Sequence, residues 1–450
     1  MIASPGLASI LVLASIFVGD RKAIDCKIGN AFTETYVPYR AIVKTRNKSF
    51  ADDREAMRQA IASKLGTTPQ DLTLEEIDDE GTFVVDSHAI DISKAPIFGG
   101  FVSDDRFEYM ERDPYILAHT LVEPNDPFFH NPERPLWGLK EIHAPAAWQS
   151  STGSAEIVAA IVDGGINPDH EDLTPLFKVK AAVGNCPKDS VGYDAISDRC
   201  ETTPRGSHGT RMAGPIGAHG NNLKGVSGVN WTIGLLSATF MENGIGCAAT
   251  AAAALEYVWQ AKDAEAADIR VVNLSWGTSE DSSALREKLE KLSASGVVLV
   301  ASAGNDALNI KDNPVYPAIY PLPLLITVAS MTQDGNLAGN SNFGPESVHI
   351  AAPGDKIYTT SWKDRPNPLL NKNYYKADQG TSIAAAHVTG AVALLASRCP
   401  KLKGEDLRAL LIDNGTPRES LRDLVKDRRF LNVEEAMVKT IAKCATLVDP

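Results

Sequence analysis

A surplus of positive charge is missing from this chain. Lys and Arg together number 44 against 57 Asp and Glu, a formal net charge of −13, and no stretch gathers cations into a face that could track phosphates. Nucleic acid is therefore not an expected partner. Zinc-type spacing is missing as well, since no two of the six cysteines (Cys26, Cys186, Cys200, Cys247, Cys399, Cys444) form the close pairs of a structural zinc site. Beyond the first twenty or so residues, no run is apolar for long enough to cross a bilayer. The opening run, residues 1–18, is apolar but lacks a positive n-region, and Asp20-Arg21-Lys22 breaks it off. It reads as a signal peptide over residues 1–19, with a signal anchor as the alternative.

What is present fits a soluble globular protein of two or three domains: 450 residues, 44% hydrophobic and 22% charged. The acidic balance favours basic substrates through its field, a weak constraint on function. An even cysteine count behind a secretory leader fits disulfides, and Cys186 with Cys200, flanking a polar, turn-rich loop, is the best single pair. Asn47, Asn230, Asn273 and Asn414 each open an Asn-x-Ser/Thr glycosylation pattern, although Asn273 falls at the end of a buried strand run.

Hydrophobic patterning divides the chain. Residues 36–44 and 82–86 read as strands, and a helical run opening at Ala51-Asp52-Asp53 carries Met57, Ile61 and Leu65 at helical spacing. With a mixed segment over residues 106–114, these make a small α+β unit without a catalytic cluster. Residues 123–135 are Pro-rich and polar, as a linker or processing loop would be. Buried-strand runs then follow at residues 157–162, 233–238, 269–274, 297–300 and 324–328, with helical runs at 248–264 and 283–295. Alternating strands and helices predict an α/β domain with a mostly parallel sheet covered on both faces, and function collects at the carboxyl ends of such strands.

Several of those ends carry polar groups. Asp163-Gly164-Gly165 follows one run, Ser275-Trp276-Gly277 the next, and Ala301-Ser302-Ala303-Gly304-Asn305-Asp306 a third. Taken singly, each is an ordinary turn. His208 stands among small residues (Gly206, Ser207, Gly209) that leave room for another chain to approach. Gly380-Thr381-Ser382 precedes a long run of helix formers, so Ser382 falls at a helix N-terminus. That position suits an N-cap, and it equally suits a nucleophile whose attacked carbonyl needs donors for its developing charge.

Together these pieces resemble the subtilisin-like serine proteases, over roughly residues 134–450. The resemblance rests on Val162-Asp163-Gly164-Gly165, His208-Gly209-Thr210, Ala303-Gly304-Asn305 and Gly380-Thr381-Ser382, in the order Asp, His, Ser. It implies a subtilisin-like three-layer peptidase domain over residues 134–450, preceded by a small ferredoxin-like propeptide over 20–122 and a linker over 123–133. Ser382 would be the nucleophile, His208 the general base, Asp163 its orienting carboxylate and Asn305 an oxyanion-hole donor. Ser275, Trp276, Gly277, Ala301, Ser302 and Ala303 would wall the first specificity pocket. Asp306 would either attract a basic side chain or face water.

The resemblance further implies no cofactor for catalysis, protein or peptide substrates, inhibition by the protein's own propeptide, and secretion or residence in the secretory pathway. The propeptide's tail, residues 107–121, would occupy the active site until cut; a permanent regulatory domain is the alternative. Structural calcium is suggested through Glu133, Asp172 and Asn222 with carbonyls of residues 220–226, against the alternative of three ordinary polar residues. The chain departs from the family pattern at Gly164, at Arg211 and at Ile383-Ala384-Ala385-Ala386. A non-catalytic binding module on the same fold is therefore the competing reading.

Overall fold

The computed structural model describes residues 36–92, 104–114, 122–133, 136–173, 175–363 and 374–447. The expected signal peptide, Cys26 and residues 115–121 lie outside the described residues. The chain divides into two compact units at residues 120/121.

The first unit contains β1 (Tyr36–Thr45), α1 (Lys48–Asp52), α2 (Arg54–Leu65), β2 (Leu72–Glu76), β3 (Thr82–Ser87) and β4 (Phe107–Pro114). Its sheet is antiparallel with order β2-β3-β1-β4, the ferredoxin-like arrangement. Asp53 splits the helical run expected from Ala51. Its Oδ1 accepts from Ala56 N at 3.0 Å, which satisfies one of the open N–H groups of α2. Gly66, left-handed at φ 71°, closes the helix. Met57, Ile61 and Leu65 then bury one α2 face against Phe83 and Val85 of β3 and Ala41 and Val43 of β1. Residues 107–114, expected as part of an inhibitory tail, are instead a strand paired with β1.

The second unit begins with α3 (Trp137–Glu141) and α4 (Ala144–Ala147). It continues through β5 (Gly153–Asp163), β6 (Gly192–Asp194), α5 (His208–Gly217), β7 (Thr232–Thr239) and the small hairpin β8 (Met241–Glu242) and β9 (Ile245–Gly246). Next come α6 (Ala248–Asp263), β10 (Asp268–Leu274), α7 (Ser283–Ala294), β11 (Val298–Ser302), β12 (Leu325–Met331), β13 (Ile350–Pro353), and the hairpin β14 (Ile357–Ser361) and β15 (Tyr374–Asp378). The unit ends with α8 (Thr381–Arg398), α9 (Gly404–Asp413), β16 (Thr416–Pro417), β17 (Arg429–Phe430) and α10 (Val433–Thr446). The sheet order is β16-β17-β13-β12-β11-β10-β5-β7-β6, parallel except for the β16–β17 edge.

The pleat sorts strand residues into two cores. Ile157, Ala159 and Ile161 of β5 join the layer formed with α5 and α8, whereas Val158, Ala160 and Val162 join the layer formed with α6 and α7. A parallel sheet covered on both faces results, the three-layer fold expected. Helix α8 is mostly apolar and buried from Ile383 to Ala396, which fits its richness in alanine: it lies across β5, β10, β11 and β12.

Among the described residues two disulfides form, Cys186–Cys200 and Cys399–Cys444, and Cys247 is free and exposed. The second closes a separation of 45 residues and ties the end of α8 to α10; a loop of that length removes about 4 kcal/mol of unfolded-chain entropy on the loop-closure account. Residues 123–133, expected as a linker, belong to the second unit. Asp126 there is wholly buried and accepts from the backbone N–H groups of Asn221 at 2.7 Å and Asn222 at 3.1 Å. Asn230 and Asn273 are also wholly buried, with their amide nitrogens bonded, so neither can carry a glycan in the folded state. Among the described residues no helix is long and apolar enough to cross a membrane.

Candidate active site

Strands β11, β10 and β5 are parallel neighbours, so their carboxyl ends share one edge of the sheet. Asp163 ends β5, Ser275 follows β10, and Asn305 lies just past β11. The N-termini of α5 and α8 reach the same edge and bring His208 and Ser382. His208, Ser382, Ser275, Trp276, Asn305 and Asp306 line one cleft of about 360 Å³.

Asp163 is wholly buried and receives donors on both oxygens. Gly164 N donates to Oδ1 at 2.6 Å, so the carboxylate keeps a bond despite lacking a hydroxyl neighbour at that position. His208 Nδ1 lies 2.8 Å from Oδ2 and 3.0 Å from Oδ1. With the proton on Nδ1 held by Asp163, the lone pair of the neutral ring sits on Nε2. The approach requires Gly209, where a Cβ would stand 2.5 Å from the Gly165 carbonyl oxygen and 3.2 Å from Asp163 Cβ. Burial pushes the His208 pKa down, but the Asp163 charge and hydrogen bond push it up by more, and the net direction is upward. Arg211 is engaged elsewhere, donating to Asp378 at 2.8 Å.

Ser382 is the second residue of α8, and Gly380, not Ser382, stands at the N-cap position. The capping acceptor comes from outside the helix: Asn305 Oδ1 accepts from Thr381 N at 2.8 Å and from Thr381 Oγ1 at 3.1 Å. Those two bonds identify the amide oxygen, so Asn305 Nδ2 is the atom left to donate into the cleft. Gly380, at φ 118°, allows this contact, since a Cβ there would fall 2.9 Å from Asn305 Oδ1. Ser382 Oγ donates to the Ser275 carbonyl at 3.0 Å, while Ser275 Oγ donates to the Ser382 carbonyl at 2.9 Å. The Ser382 hydroxyl proton must therefore leave that carbonyl before it can be passed to His208.

The expected pocket walls are only partly recovered. Ser275, Trp276 and Gly277 line the cleft, and Trp276 is fixed by its Nε1–H to the Val162 carbonyl at 2.9 Å. On the other wall Ser302 and Gly304 face the cleft, whereas Ala301 and Ala303 are wholly buried in the two hydrophobic layers. Asp306 lines the mouth and is exposed. Val315, which sequence reasoning missed, stands between the walls. Its Cγ1 lies 2.7 Å from where a Cβ on Gly277 would be, and its Cγ2 lies 3.6 Å from one on Gly304. Tyr316 N to Thr278 O at 2.8 Å and Thr278 N to Tyr316 O at 2.9 Å hold that segment against the wall.

Two of the three suggested calcium ligands are bonded to each other. Glu133 is exposed, with its backbone N–H on Asn131 Oδ1. Asp172 is wholly buried and meets Asn222 through a donor, Asn222 Nδ2 to Asp172 Oδ1 at 2.9 Å. Among the described residues, no group of three or more His, Cys, Asp or Glu side chains is placed to hold a metal ion.

The subtilase family profile matches residues 154–431, well over half the chain. The chain belongs to the subtilase family. Thermitase of Thermoactinomyces vulgaris is 33% identical over 278 residues, covering 61% of this chain and 86% of thermitase. Subtilisin-like protease 2 of Plasmodium falciparum (isolate 3D7) is 32% identical over 274 residues, or 58% of this chain. The match spans only 19% of that relative's length. Among solved structures, one described as proteases from Pseudoalteromonas arctica PAMC 21717 aligns with a TM-score of 0.57 over 70% of this chain and 99% of that chain. At 24% identity it is a likeness of fold.

Proposed function

We propose that this subtilase is a serine endopeptidase, secreted or resident in the secretory pathway and made as a zymogen, with Ser382 as its nucleophile. The observation that carries the reading is the pairing of an Asp163-oriented His208 with a pinned Asn305 amide on the cleft that holds Ser382. As the Ser382 hydroxyl proton leaves the Ser275 carbonyl and Oγ attacks the peptide carbonyl, His208 Nε2 takes that proton, and the imidazolium is stabilised by Asp163. Asn305 Nδ2 and the Ser382 backbone N–H receive the tetrahedral oxyanion. His208 then protonates the leaving amine, and water, activated by the same ring, releases the acyl group from Ser382.

Asn305 does two jobs that can be separated. Asn305→Ala removes both the α8 cap and the oxyanion donor, so kcat is expected to fall about 100- to 1,000-fold, with about 1 kcal/mol of stability lost. Asn305→Asp keeps a capping acceptor without the Nδ2 donor, so steady-state kinetics should fall alike while the thermal midpoint holds. Unchanged kcat in both variants would remove Asn305 from the mechanism.

The slot beside Ser382 supports a preference for peptides with a small residue before the scissile bond, because Val315 fills the gap between the Gly277 and Gly304 walls. Val315→Gly is expected to raise kcat/KM for a large aliphatic or aromatic residue there by roughly 10-fold or more relative to alanine, the scale of a few methylenes in an apolar pocket. An unchanged ratio in a peptide-library assay would refute the assignment.

The first unit is read as an inhibitory propeptide. The processing cut is expected after β4, which ends at Pro114, and before Asp126, which is built into the peptidase unit. N-terminal sequencing of the mature form should find a terminus between Leu117 and Asn125, missing in Ser382→Ala if the cut is autocatalytic. The second reading, a binding module without turnover, is favoured by one observation: the Ser382 hydroxyl is engaged with the Ser275 carbonyl.

A further inference from the structure

The loop over residues 220–226, where the family resemblance suggests calcium, is held together here by protein hydrogen-bond donors. Asp172 is wholly buried, and its carboxylate already has three of them: Asn222 Nδ2 at 2.9 Å on Oδ1, and Val226 N at 2.9 Å with the Tyr375 hydroxyl at 2.8 Å on Oδ2. The Asn222 amide cannot be turned to present its oxygen without loss, because Oδ1 accepts from Lys224 N at 2.8 Å. The Gly225 carbonyl accepts from Phe128 N at 3.0 Å, and Asp126 takes the N–H groups of Asn221 and Asn222. Calcium needs six to eight oxygens at about 2.3–2.6 Å. The Asp172 carboxylate, the Asn222 amide oxygen, the Asp126 carboxylate and the Gly225 carbonyl are turned toward N–H and O–H groups instead.

Tyr375 closes the arrangement. It reaches in from β15, and its hydroxyl also lies 3.0 Å from Glu171 Oε1. Its ring takes the space beside Gly225, where a Cβ would stand 2.1 Å from the ring carbon bearing the hydroxyl. Phe128 meets the ring edge-on at 5.3 Å between centroids, and His170 does so at 5.0 Å. We propose that Tyr375 locks the 220–226 loop to Asp172 in place of a cation, so that this subtilase keeps the loop's order without calcium there.

The test uses the full chain and calcium ion alone, with thermal midpoint and isothermal titration as readouts. Wild type in excess calcium and in EDTA should melt within about 1 °C of each other, since a ligand stabilises only a site it binds. Tyr375→Phe should lower the midpoint by roughly 3–8 °C, equally in calcium and in EDTA, as expected for losing a hydrogen bond to a buried carboxylate. Stoichiometric calcium binding by wild type that disappears in Asp172→Asn would overturn the proposal. So would a Tyr375→Phe variant that melts with wild type, which covers the case in which Asp172→Asn fails to fold.

Discussion

Replacing Ser382 by alanine is expected to lower kcat by about a million-fold, the scale on which a serine nucleophile and its histidine base act as one unit. The protein should still fold. Ser382 Oγ makes one hydrogen bond, to the Ser275 carbonyl, and the apolar face of α8 that buries Ile383 to Ala396 is untouched. The midpoint should therefore move by no more than the loss of one such bond, about 1 kcal/mol. His208→Ala should be nearly as damaging, and the double variant little worse than either, because one proton transfer needs both atoms. A Ser382→Ala protein that retained a hundredth of the activity would mean that another group attacks the substrate.

The second large effect belongs to Asp163. Asp163→Asn is expected to cost roughly 10⁴-fold in kcat, since an amide in that place donates to His208 Nδ1 and stabilises the wrong tautomer. The change also has a pH signature. In wild type the Asp163 charge lifts the His208 pKa above its ordinary value of about 6.5, so kcat/KM should rise with pH through an apparent pKa above that value, as the base form appears. The stability contribution runs the other way: the charged pair stabilises the fold below the unfolded pKa, and this is lost as pH rises through the folded one. In Asp163→Asn, burial loses its main opponent at the imidazole, and the acid limb of the residual activity should move to lower pH. An acid limb that stays in place would show that Asp163 does not set the charge on His208.

Much of this arrangement was legible in the sequence because each part has a local cause. The runs that became β5, β7, β10, β11 and β12 are buried on both faces and read as continuous apolar segments. Helices α6 and α7 ended within a residue or so of the expected positions. Short strands were not legible: β6, β16 and β17 have three residues or fewer, too few for any period. Ala301 and Ala303 were expected in the pocket because their segment borders it, but successive residues at a strand end point different ways, and only Ser302 of the three faces the cleft. The stretch from Ile383 to Ala386, where the chain departs most from its family, turned out to be wholly buried, so the departure concerns packing against the sheet and touches no polar atom of the site.

Long-range partners were out of reach altogether. Asp172 looks like a calcium ligand when read beside Asn222, yet the group that completes its surroundings, Tyr375, lies 203 residues further on and has no motif of its own. Val315 likewise carries no polar chemistry, and its place between Gly277 and Gly304 depends on the pairing of Tyr316 with Thr278. The capping of α8 by Asn305 joins residues 76 positions apart, and it explains why a residue expected only as an oxyanion donor is also part of the fold.

The most direct test of the central claim is covalent. Processed protein is incubated with a peptidyl organophosphonate that reacts with activated serines, and the adduct is mapped by mass spectrometry. One adduct per chain on Ser382, absent in Ser382→Ala and strongly slowed in His208→Ala, is the predicted result. Folded, processed protein that takes no label, or takes it on another residue, would contradict the account.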